Sequence, residues 1–177
     1  MLPESVRRER PEASEHAPYY GRYIAQVADG DIVGTLRTQQ ATTMARWATL
    51  AEAQGAHRYA PEKWSVRQVV GHLADAERIF AYRATRFARA DATPVPGFDE
   101  NSYVANASFD DRTLASLVNE LRTVREATIA FFDSLNAVEW TRRGTANQQQ
   151  ASVRAIAWIT AGHLRHHDAI LQERYAL

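Results

Sequence analysis

Four imidazoles carry the chemistry that this sequence can do. Three stand in Ala161-Gly162-His163-Leu164-Arg165-His166-His167-Asp168 and one in Val70-Gly71-His72-Leu73-Ala74-Asp75-Ala76-Glu77. Both stretches set apolar residues at helical spacing with histidine on the apolar side, where a polar ring needs a partner. An α-helix turns about 100° per residue, so with Ile156 at zero His163 falls at about 340° and His167 at about 20°. Ile159, Ile170 and Leu171 share that inward arc. One turn apart, the two rings can converge on a point beside the helix, as paired histidines do in zinc enzymes. His72 can bring a third nitrogen from a neighbouring helix. Three neutral imidazoles leave a coordination position open, which is the pattern of a catalytic rather than a closed structural site. A histidine on an apolar face also occurs as a hydrogen-bonded core residue, and spacing by itself leaves both readings open. His166, at about 280°, is expected at the rim of the arc. His16 and His57 lie in tail and loop sequence and draw no role. The chain contains no Glu-x-x-His motif. That sets aside a carboxylate-bridged di-iron bundle and leaves a mononuclear site.

Helical periodicity must position these rings, and it dominates the chain, with no sustained strand-like alternation. A first helix places Val33, Leu36, Met44, Trp47 and Leu50 on one face and ends near Gly55. Ser65 and Gln68 form a capping-box pattern that opens a second helix, running to about Ala90 with Val66, Val69, Val70, His72, Leu73, Ala76, Ile79 and Phe80 on its buried stripe. Two prolines and Gly97 stop any helix across Asp91–Glu100. A short helical piece over Asn101–Ala107 follows, and Asp110 or Asp111 can cap a third helix that ends near Asn136. The stretch Thr141–Gln150 reads as a polar loop. Ser152 then caps a fourth helix that continues to about Arg174. The expected fold is all-α, a four-helix bundle with a long connection between helices two and three. Residues 1–30 are expected to form an N-terminal extension packing on the bundle domain, residues 31–177.

At 177 residues the chain is long enough to bury a core as one domain. Its 21 basic and 21 acidic residues cancel. No electrostatic footprint for nucleic acid or for a membrane surface exists, and a small-molecule substrate is favoured. Having no cysteine, the chain can offer neither a thiolate ligand nor a cysteine nucleophile. The first 18 residues lack the apolar core of a signal peptide, so a cytoplasmic location is expected. Bulky residues beyond a narrow core stripe, Trp47 and Phe131 among them, suggest a homodimer. Trp64, Trp158 and the N-terminal tyrosines are expected in core or interface positions.

The segment Trp64–Glu77, the following Tyr82-Arg83, and His163-x-x-His166-His167 with Ile170 resemble the DinB/YfiT-like superfamily of metal-binding four-helix bundles. Tyr19-Tyr20, Tyr23-Ile24, Pro96–Glu100 and Glu173-Arg174-Tyr175 fit the same pattern, so the resemblance spans nearly the whole chain. It implies an up-down-down-up bundle and carries the family's metal ligands onto His72, His163 and His167. It also implies a divalent ion, zinc or nickel, and a choice of activities. The superfamily includes thiol transferases using bacillithiol, a mycothiol-dependent isomerase and proteins described as metal-dependent hydrolases.

Thiol transfer would bring the sulfur in with a low-molecular-weight cosubstrate, whereas hydrolysis needs a carboxylate as general base. Asp75 and Glu77 are the candidate catalytic residues by nearness in sequence. Each also has a structural reading, Asp75 as a partner orienting a ligand ring and Glu77 as an ion-pair partner of Arg78, Arg83 or another surface arginine. Arg83 can meet an anionic cosubstrate or brace the bundle end through a salt bridge to a loop. The expected function is therefore thiol S-transfer to a small electrophile or hydrolysis, the alternative being a non-catalytic metal-binding or interaction bundle.

Overall fold

A computed structural model describes residues 3–177. Four long helices form the body. We call α1 the helix Ile32–Gln39, which continues through a wider π-helical stretch, Gln40–Met44, into a last turn, Ala45–Trp47. The others are α2 (Val66–Ala88), α3 (Leu114–Ser134) and α4 (Val153–Tyr175).

The serine caps behave as their sequence predicts. Ser65 Oγ accepts from Gln68 N, Gln68 Oε1 accepts from Ser65 N, and Ser152 Oγ accepts from Ala155 N. Helix α3 departs from expectation, for Thr113 caps it through Ser116 N, and neither Asp110 nor Asp111 does. Asp110 is drawn sideways instead, accepting from Ser65 Oγ and Arg58 Nη2, so it ties the start of α2 to the connection.

Cross-helix contacts give the direction of each element. Ser65 meets Asp110, Glu77 meets Arg125 and Arg89 meets Glu139, so numbers rise together and α2 runs parallel to α3. Gln39 with Ala161 and Trp47 with Asp168 make α1 parallel to α4. Arg37 with Asp133 sets α1 against α3, and Tyr175 with Trp64 sets α4 against α2. The bundle is up-down-down-up. A helix of 23 residues is about 35 Å long, and a parallel neighbour can start only after the chain has returned that distance. The long connection between α2 and α3 is that return.

Its ordered pieces are an extended residue, Val95, a helix, Glu100–Asn106, capped by Asp99, and a 3-10 turn, Phe109–Asp111. Where the sequence suggests a polar loop, the chain forms an antiparallel hairpin of β1 (Arg143–Ala146) and β2 (Gln149–Ser152), with which Val95 pairs. Its turn, Asn147-Gln148, holds both residues at positive φ, the mirror-image turn that matches strand twist.

The core falls into two apolar clusters along the bundle axis. Polar groups occupy the seam between them. Arg125 is fully buried and grips both carboxylate oxygens of Glu77, at 2.6 and 2.7 Å. Its Nη1 also donates to Gln39 Oε1 and to the Leu36 carbonyl, and Gln39 Nε2 donates to the carbonyl of Ala161. This network touches all four helices. Glu77 is thereby a core ion-pair partner, bonded to an arginine on another helix rather than to Arg78, Arg83 or a surface arginine. Trp47 is buried with its indole N–H on Asp168, and Phe131 is half-buried against the core.

Removing one partner of a buried pair strands the other charge, at a cost of about 3–5 kcal/mol, while an apolar pair of similar volume is often tolerated. Glu77→Ala or Arg125→Ala should therefore lower the urea midpoint by that equivalent, and Glu77→Met with Arg125→Met should recover much of it. Single variants within about 1 kcal/mol of the parent would contradict a structural role for the pair.

Candidate metal centre

Two glycines open the way for the histidines that follow them. A Cβ on Gly71 would stand 2.4 Å from the ring of Phe109, so that ring closes on α2 one residue before His72. A Cβ on Gly162 would stand 2.1 Å from the carbonyl oxygen of Tyr23, so the N-terminal segment lies directly on α4 one residue before His163. Tyr23, Ile24 and Val27 enter the same apolar cluster as Ile156 and Ile159.

His72 from α2 and His163 and His167 from α4 converge at the seam. Their ligand nitrogens lie within 4.8 Å of one another, and the Nε2 atoms of His72 and His163 are 3.2 Å apart. Nitrogens about 2.05 Å from a shared tetrahedral ion stand about 3.3 Å from each other, so this pair already has the spacing of two ligands. His72 and His163 are buried and His167 is half-buried. His166 sits at the rim, half-buried, with its ring 5.2 Å from that of His167 and 5.3 Å from that of Tyr23.

Burial holds these rings neutral. It pushes His72 down to about 4, and pushes His163 and His167 well below the ordinary imidazole range, with the neighbouring rings acting in the same direction. Neutral imidazole keeps the lone pair that a metal needs, so the low dielectric of the seam prepares the rings to be ligands.

The rings open into a cavity of about 240 Å³. Its wall is aromatic: Trp64 lies 4.9 Å from the His72 ring, Phe80 5.6 Å and Tyr23 5.3 Å from that of His163. Tyr19, Tyr20 and Phe98 complete that side. Tyr23 and Trp158 are core as expected, with the Arg10 guanidinium 4.5 Å over the Trp158 ring, and Tyr20 and Trp64 pack against the core clusters. Trp64 and the three tyrosines also face the cavity, a second role that the expected core or interface positions leave out.

Neither carboxylate singled out in sequence reaches the cavity. Asp75 turns to Arg78 at 3.2 Å and Glu77 to Arg125. Glu100, the first residue of the short helix in the connection, lines the cavity instead, near enough to the exposed Arg22 for their charges to interact. The capping pattern at Asp99 marks the helix in sequence, but only the folded connection carries Glu100 over the histidines. Arg83 is buried, and its Nη2 donates to the Pro96 carbonyl at 3.0 Å. It braces a loop through that hydrogen bond and not through a salt bridge, and the reading of Arg83 as a contact for an anion stays open.

A family model described as the DinB superfamily matches residues 35–171. Among solved structures the chain is similar to YfiT from Bacillus subtilis, described as a probable metal-dependent hydrolase with an unusual four-helix bundle topology. That likeness has a TM-score of 0.66 at 19% identity and covers 96% of this chain and 93% of that one. The chain is also similar to a mycothiol-dependent maleylpyruvate isomerase, with a TM-score of 0.66 at 11% identity over 78% of this chain and 58% of that one. It thus spans little more than half of the isomerase. At such identities the likeness speaks for the fold alone. A comparison with curated proteins finds no match.

The neutral rings make stability depend on pH in a definite direction. In metal-free protein the folded rings resist protonation while those of the unfolded chain take it up below about 6.5, so stability is complete above that pH and falls on acidification. Between pH 6.5 and 5, above the range of most carboxylates, His72 alone should cost about 1.5 kcal/mol, with His163 and His167 adding to it. Urea unfolding of the chelated protein measures this, and a flat profile over that interval would contradict the burial of neutral rings.

Proposed function

The chain belongs to the DinB superfamily, and on that premise we propose that it is a metal-dependent enzyme acting on a small molecule at a mononuclear centre of His72, His163 and His167. The observation that carries this reading is the 3.2 Å approach of two buried Nε2 atoms beside a cavity that a small molecule can enter. One hydrogen bond between two imidazoles would account for that pair, and it is the third ring, His167, with its nitrogen within 4.8 Å of the other two, that favours a shared ion. Zinc or nickel suits three imidazoles.

When bound, such an ion supplies Lewis acidity that makes water or a low-molecular-weight thiol a stronger nucleophile near neutral pH. The chain supplies the rest. Trp64, Phe80 and Tyr23 shield the reacting end from bulk water, which strengthens every electrostatic interaction there. Glu100 is the carboxylate on the cavity wall and the candidate general base for hydrolysis, in place of Asp75 and Glu77. With no cysteine in the chain, thiol S-transfer to an electrophile would draw its sulfur from the cosubstrate.

Protein purified without nickel chromatography should hold about one divalent ion per chain. Alanine at His72, His163 or His167 should sharply reduce that content, while His166→Ala should leave most of it. Holoprotein should turn over either an activated ester alone or an electrophilic chloronitroarene with bacillithiol, mycothiol or glutathione. Equal metal loss in His166→Ala and His167→Ala would refute the ligand assignment. Full metal content without turnover of any of these would favour a non-catalytic bundle.

A further inference from the structure

Beside the histidine cavity lies a larger one, of about 680 Å³, and the two share Tyr19, Tyr20, Phe98 and Glu100 as a common wall. The larger cavity is bounded on one side by the hairpin turn at Ala146 and Asn147, and on the other by Gly97 of the long connection. These two edges are fixed to each other, since Val95 N donates to the Thr145 carbonyl and Asn147 N to the Val95 carbonyl, both at 2.9 Å. The chamber is therefore built by tertiary pairing, not left by a slack loop.

One charged side chain is buried in its wall. Arg83 is 4% exposed, and among the described residues its guanidinium makes one hydrogen bond, to the Pro96 carbonyl, and no salt bridge. Its Nε is buried without a partner. The other deeply buried arginine, Arg125, is matched by a bidentate carboxylate. A guanidinium cannot escape its charge by losing a proton, so burying one without a counter-charge is costly, and a planar fork of donors fits a carboxylate. Among the described residues Glu100 on the shared wall makes no salt bridge with Arg83, and its charge acts on Arg22.

We propose that Arg83 and the chamber beneath the hairpin form a subsite for the carboxylate of the small molecule whose other end reaches the histidine cavity. The Phe98 ring, 5.8 Å from the guanidinium carbon, and Tyr20 flank an apolar body between the two ends. This deepens the proposed function by naming an anionic substrate class, and it rests on that reading only for the direction of the reacting end. The subsite itself needs no metal.

Benzoate is the probe, with benzyl alcohol as its uncharged counterpart, and binding is followed by calorimetry on both the metal-loaded and the chelated full chain. Benzoate should bind both forms, roughly tenfold or more tightly than benzyl alcohol. Arg83→Gln should remove that preference and leave benzyl alcohol unchanged. Gln149→Glu, an exposed position on the chamber wall, should do the same by setting a carboxylate beside the guanidinium, and it leaves the Arg83 bond to Pro96 in place. The proposal is overturned if benzoate fails to bind at millimolar concentration, or if its preference survives both substitutions. It is equally overturned if benzoate binds only the metal-loaded form, since the carboxylate then goes to the ion. Failure to hold metal with benzoate binding intact would count against the proposed function and leave the subsite standing.

Discussion

The bidentate pair between Arg125 and Glu77 sets the register of the whole bundle. With Gln39 and the carbonyls of Leu36 and Ala161 it joins all four helices at one level, at the inner margin of the first apolar cluster. Apolar stripes alone allow helices to slide, because leucine against leucine is nearly as good one turn on. A buried charge pair allows no such slide, since any shift leaves a charge without its partner. Glu77 is five residues beyond His72 and Ala161 two before His163 on antiparallel helices, so the Arg125 layer lies about 3–8 Å from the imidazoles, toward one end, and fixes the height at which they meet.

The polar seam therefore has two halves with different occupants. Its inner half is satisfied by protein groups. In its outer half neutral imidazoles face each other across 3.2 Å and a cavity opens beside them. A divalent ion would satisfy those nitrogens as Glu77 satisfies Arg125. The up-down-down-up order contributes by forcing a long return between α2 and α3, and that return brings Phe98 and Glu100 to the histidine cavity beside the N-terminal tyrosines. Function thus comes to sit where the topology needs chain that is not bundle helix, a general consequence of building sites from connections held by a rigid scaffold.

The histidine trio was legible because a single periodicity governs α4, and 100° per residue separates His163 and His167 from His166. Ser65 and Ser152 were legible for a similar reason, their caps being local. Thr113 was not, because Asp110 is an equally good cap by type and is withheld only by Ser65 and Arg58, far off in sequence. The hairpin escaped because Gln148, not glycine, takes the second left-handed position of its turn. The wider turn at Gln40–Met44 carries no residue signal at all. Glu77 reads in sequence as either a general base near His72 or an ion-pair partner of a nearby arginine, and its actual partner, Arg125, lies 48 residues away. The aromatic wall and Glu100 depend on contacts of the same long-range kind, which local pattern does not encode.

X-ray absorption at the metal edge of the reconstituted protein reads the ligand shell itself. Three imidazole nitrogens at about 2.0–2.1 Å are expected, with at least one further light-atom ligand that a small added thiol replaces with sulfur. A shell of four imidazoles, or one that no added ligand alters, would mean a closed structural ion and would contradict an open centre at His72, His163 and His167.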